Sequence, residues 1–151
     1  MKLVTLFFPL MLMMAVSCTK IQGTISSRGD AVGNWTFTPD GCISGDRIRT
    51  VGATLYTDKN QKLGVRIAKD FNNMLSIAVI IPSTCKADGT CQAVILDSKR
   101  CGKYSGDVNL TNITTSDDYR KADGFVNFDC TVLIGAKKGA IKGAVKFSNC
   151  D

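Results

Sequence analysis

The sequence predicts an all-β fold, an antiparallel sandwich of about eight strands stapled by disulfides. Three observations carry that expectation. Thr, Val, Ile, Gly, Asn and Asp are plentiful and every acidic residue is Asp, so good helix formers are scarce. Strand-like runs alternate with turn residues along most of the chain. The chain also holds seven cysteines, and those from Cys42 onward are spread through the strand-like region, as in a cross-linked exported domain.

The expected strands lie near 33–38, 47–57, 63–69, 73–81, 92–97, 104–114, 124–134 and 140–148. Turn residues separate them: Pro39-Asp40-Gly41, Asp58-Lys59-Asn60, Asp70 to Asn73, Asp88-Gly89, and Ser116 to Gly124. This spacing, without a helical period, fits a sandwich, with a small closed barrel as the alternative.

The last hairpin has a register that can be read from its residues. Pairing Gly135 with Ala140 sets Ile134 against Ile141, Cys130 against Val145 and Phe128 against Phe147. The other face then pairs Asp129 with Lys146, so apolar residues share one side and opposite charges the other. In this register Cys150 falls on the face opposite Cys130, several rungs away, and those two should not pair.

A second hairpin suggests a disulfide that should form. In Cys85-Lys86-Ala87-Asp88-Gly89-Thr90-Cys91, a three-residue loop Ala87-Asp88-Gly89 puts Gly89 at the left-handed position such loops require. Cys85 then sits across from Cys91. For Cys42, Cys101, Cys130 and Cys150, two pairings remain open once Cys130–Cys150 is excluded.

The N-terminus reads as an address. Met1-Lys2 is followed by an apolar run from Leu3 to Val16, broken only by Thr5 and Pro9, and then by Ser17-Cys18. This is a signal peptide over 1–17, too short to span a bilayer as a helix. Residues 18–31 are expected to form the mature N-terminus and a short tether, and 32–151 a single β domain. Ala15-Val16-Ser17-Cys18 resembles the lipobox of bacterial lipoproteins, in which the cysteine carries diacylglycerol and becomes the first mature residue. Cysteine arithmetic agrees, since setting Cys18 aside leaves an even set. By the same resemblance, Thr19 rather than Asp after the cysteine implies sorting to the outer membrane. An ordinary cut after Ser17, giving a secreted protein, is the alternative. The sequons at Asn34, Asn109 and Asn112 make a eukaryotic glycoprotein its fullest form.

Charge and chemistry narrow the function. The formal net charge is +6, but the basic residues are scattered as Arg47/Arg49, Lys59/Lys62, Lys99/Arg100, Arg120/Lys121 and Lys137/Lys138, without aromatic interleaving. No nucleic-acid partner is expected. With no His and no Glu, there is no Ser-His-Asp set and no imidazole zinc ligand. Asp117, Asp118 and Asp123 share their segment with Arg120 and Lys121 and read as a charged turn rather than a metal loop. Ser83 to Lys86 matches S-x-x-K, the acylating motif of β-lactamases, yet Pro82 and flanking strands replace the helix it needs. Arg28-Gly29-Asp30 spells an integrin-type tripeptide in the expected tether. Gly33-Asn34-Trp35, with "TSDDY" ending at Tyr119, resembles the lipocalin and calycin signature, which implies a barrel carrying a small hydrophobic ligand.

The expectation is therefore an outer-membrane-anchored lipoprotein, lipidated at Cys18, without enzymatic activity, metal or cofactor. Its role is binding, envelope-structural or surface interaction. Its partners are the membrane, through the lipid, and an envelope protein or polysaccharide.

Overall fold

A computed structural model describes residues 19–47, 50–57, 64–112 and 120–151. Their strands, in chain order, are β1 Lys20–Gly29, β2 Trp35–Phe37, β3 Gly41–Arg47, β4 Thr50–Tyr56 and β5 Gly64–Asp70. They continue as β6 Leu75–Ile80, β7 Ala93–Ile95, β8 Cys101–Asn112, β9 Arg120–Ile134 and β10 Lys137–Cys150. Two antiparallel sheets result: sheet I in the order β2-β1-β10-β9-β8, sheet II in the order β3-β4-β5-β6-β7. The chain is thus one meander in which neighbours in sequence are neighbours in space and β10 returns to β1. It changes sheet between β2 and β3 and between β7 and β8, where no ladder joins the layers. The result is a sandwich rather than the closed barrel that was its alternative.

Alternation along each strand builds the core. In sheet II, Leu55, Val65 and Val79 form one cross-strand row and Ala53, Ile67 and Ile77 the next, all buried. Sheet I answers with Ile25, Phe37, Val126, Phe128, Ile141, Val145 and Phe147. Each large side chain so buried contributes on the order of 2 kcal/mol. Strand β8 meets β4, β5 and β6 in turn, and β3 lies against β9 and β10, so the two layers cross rather than run parallel. The Tyr104 hydroxyl donates to the Leu75 carbonyl at 3.1 Å, and Lys69 on β5 bridges to Asp107 on β8 at 2.5 Å.

Three disulfides close the frame. Cys42–Cys150 links β3 to β10 and therefore one sheet to the other, Cys101–Cys130 joins β8 to β9, and Cys85–Cys91 closes the loop between β6 and β7. The last forms on the expected three-residue loop. The Lys86 and Thr90 backbones pair at 2.8 Å, Gly89 N–H reaches Lys86 O at 3.0 Å, and Gly89 has φ +84°.

Four expectations are corrected. The supposed tether 18–31 is largely strand: β1 pairs along its whole length with β10, from Lys20↔Ser148 to Gly29↔Gly139. Its inward row is Ile21, Gly23, Ile25 and Ser27, half of it not apolar, which is why it reads as unstructured. The expected strand 47–57 is present as Thr50–Tyr56, but it is preceded by a strand that was not expected, Gly41–Arg47, which pairs with it as a hairpin. The terminal hairpin turns two residues earlier than expected, at Gly135-Ala136. Ile134 pairs with Lys137, Gly143 with Phe128 and Lys142 with Asp129, a slide of four residues that keeps every side chain on its expected face. Gly135, at φ +60°, occupies the first central position of a type II′ turn. The slide also sets each ring against a glycine, Phe128 over Gly143 and Phe147 over Gly124, instead of ring on ring.

Finally, Cys150 faces the core and is fully buried, although strict alternation would turn it outward. A register shift between Phe147 and Cys150 rotates it back. Asn149 makes that rotation at φ +55°, with its N–H held by Asp123 Oδ1 at 2.8 Å. Cys130 and Cys150 are indeed unpaired with each other. Both face the core, and distance along the strands separates them, since Cys130 lies opposite Ile141 and Cys150 opposite Ala122.

Candidate functional site

The outer face of sheet I presents one continuous polar trough. Its axis is a single rung that crosses all the strands of the sheet: Thr36 on β2, Ser26 on β1, Lys142 on β10, Asp129 on β9 and Lys103 on β8. On β10, Lys138, Ala140, Lys142, Ala144 and Lys146 all point outward and are exposed, while the residues between them point inward. Short alanines on either side of Lys142 leave hollows that the longer lysines wall.

One hollow, of about 490 Å³, is lined by Ser26, Arg28, Thr36, Asp129, Ala140 and Lys142. A second, of about 250 Å³, runs past Thr24, Lys103, Asn127 and Ala144 and shares Ser26, Asp129 and Lys142 with the first. A third opens the other end at Arg28, Asn34, Trp35 and Thr36. Together they reach from β8 to β2, about 19 Å at the usual strand spacing.

The β2 end of the trough is held in place by side-chain-to-backbone contacts. The Trp35 indole N–H donates to the Val32 carbonyl at 2.9 Å, Ser27 Oγ donates to Gly33 O at 2.8 Å, and Asn34 Oδ1 accepts from Gly29 N–H at 3.0 Å. The G-x-W stretch is therefore a braced turn leading into an edge strand. Arg28-Gly29-Asp30 is the end of β1 and the start of that turn, not a flexible segment. The fixed charges of the trough are Arg28, Lys103 and Lys142 against Asp129, an excess of positive charge.

The remaining residues singled out from sequence are scattered. Cys18, Asp117, Asp118 and Tyr119 lie outside the described residues. Asp123 serves the Cys150 bulge. Ser83 sits on a one-turn 3-10 helix, Pro82–Thr84, and Lys86 in the disulfide loop beyond it; no α-helix brings them to one face. Among the described residues no group of three or more potential metal ligands comes together, and no helix is long and apolar enough to cross a membrane. The trough itself escaped sequence reasoning because β1, which supplies Ser26 and Arg28, reads as a tether. The signal that could have found it is K-x-A-x-K-x-A-x-K along 138–146, a small-and-charged outer row alternating with a buried one.

No protein-family model matches the chain, and neither a characterised protein nor a solved structure matches it.

Proposed function

We propose that this chain is an exported lipoprotein, anchored in the outer membrane by diacylglyceryl on Cys18, whose disulfide-bonded sandwich binds a polar ligand without catalysis. One observation carries the reading. The cysteines from Cys42 to Cys150 pair completely among themselves, so Cys18, directly after the apolar run, is left without a cysteine partner. A free thiol in an oxidising compartment is a liability; a lipid thioether removes it.

The start of β1 adds a geometric consequence. Pairing begins at Lys20, and the Thr19 hydroxyl donates to the Asn149 carbonyl at 2.9 Å. A lipid on Cys18 would therefore hold the domain directly at the bilayer surface, with β1 rising from it. The non-catalytic part rests on the lack of His and Glu and on the dispersal of the Asp, Ser and Lys residues that might have formed a site.

The test is fractionation of the wild-type chain against Cys18→Ser. The wild type should stay with membranes until detergent releases it, and the variant should lose that membrane-bound mature form. Wild-type protein recovered from the soluble fraction without detergent would contradict the anchor and favour the secreted reading, for which the exposed Asn34 and Asn109 side chains offer glycan sites.

A further inference from the structure

We infer that the trough on sheet I binds an acidic oligosaccharide lying across the strands, a reading that rests on the domain being a binding module. Shape is the first argument. The three hollows share lining residues end to end, which gives an extended groove rather than a pit, suited to a linear polymer. Chemistry is the second. Thr24, Ser26 and Thr36 offer hydroxyls, Asp129 accepts hydrogen bonds, and Lys103 and Lys142 donate from either side of it. Alternation of donor, acceptor and donor along one rung matches the vicinal hydroxyls of a pyranose chain. Sign is the third argument. Three cationic side chains face one carboxylate, so the complementary polymer carries anionic groups along with its hydroxyls.

A peptide fits less well. The middle of the floor is built from β1, β10 and β9, whose backbone groups are spent in ladders on both sides; the unpaired edges of β2 and β8 lie at the trough's two ends and run across its axis, so a peptide lying along the trough has no edge to join. The lining of hydroxyls, alanines and charges gives no deep apolar socket for a side chain. A nucleic acid would want a series of stacking platforms, and Trp35 stands at one end only.

The test is calorimetric titration of the purified mature chain with tetragalacturonate, alongside neutral cellotetraose and a tetra-aspartate peptide. Tetragalacturonate should bind saturably. Lys142→Met and Lys103→Met should each weaken it about tenfold, the loss of one charge-assisted contact. Lys137→Met, at the exposed hairpin turn, should leave it unchanged. All three lysines are exposed, so these variants fold. Cellotetraose as tight as tetragalacturonate would overturn the acidic assignment, tetra-aspartate as tight would overturn the glycan, and no saturable binding, or equal effects of Lys142→Met and Lys137→Met, would overturn the site. The titration reads the trough whether or not Cys18 carries lipid, so its failure leaves the anchor standing, and an unmodified Cys18 leaves the trough standing.

Discussion

At the residue scale, two side chains do work that their neighbours cannot. Asn149 adopts φ +55°, a conformation Asn tolerates and β-branched residues do not. Asn149→Val should cost about 1–2 kcal/mol in urea unfolding and slow closure of Cys42–Cys150, whereas Asn149→Gly should cost little. Asp107 gives a pH signature. Its hydrogen bond from Lys69, and then that from Asn109, hold its carboxyl below the ordinary Asp value. A depressed carboxylate stabilises the fold above its unfolded pKa, and that stability is lost as pH falls through the folded value. The pair is partly exposed, so Asp107→Asn should cost only about 0.5–1 kcal/mol at pH 7. The gap between variant and wild type should close on acidification below about pH 4. A gap that stays constant with pH would contradict the role given to this pair.

At the scale of elements, hairpins and cross-links decide the architecture. A Cβ at Gly143 would meet Ile25 Cγ1 and the Phe128 ring at 2.7 Å each. Gly143→Ala should therefore cost about 1–3 kcal/mol by overpacking, as thermal unfolding would show. The disulfides should rank by the length of chain they close, with separations of 108, 29 and 6 residues. Chain-entropy arguments give about 4.8, 3.6 and 2.2 kcal/mol respectively, so paired Cys→Ala variants should lose stability in that order, with Cys42/Cys150 the worst. The faces of β9 and β10 and the Cys85–Cys91 loop were legible in the sequence, because alternation and a Gly at a left-handed turn position are local signals. The hairpin register was not legible: the preference of Phe128 and Phe147 for covering glycines is a packing choice between strands. Strand β1 was illegible for a related reason, since Gly23 and Ser27 fill inward positions that only the facing strand makes intelligible.

At the scale of the molecule, a meander that changes sheet at two seams gives two faces with different tasks. The inner faces fill the space between the layers with buried Ile, Val, Leu and Phe, where a lipocalin-type carrier would need an open, closed-walled cavity. The outer face of sheet I carries the charged trough, and the strand that begins beside Cys18 runs through it. An all-β, disulfide-linked class could be read from composition and cysteine count alone. The trough could not, because it assembles residues from β1, β2, β8, β9 and β10 that are far apart in sequence, and those noticed there, Arg28, Asn34, Trp35 and Asp129, were noticed for other reasons. The proposed function turns instead on the anchor at Cys18. Intact-mass spectrometry of the purified mature protein, with and without thiol alkylation in the absence of reductant, tests it most directly. A lipid anchor gives a chain beginning at Cys18, heavier by a diacylglyceryl group and showing no alkylatable thiol. An unlipidated chain with one alkylatable thiol, or one bearing glycan mass on its Asn residues, would contradict it.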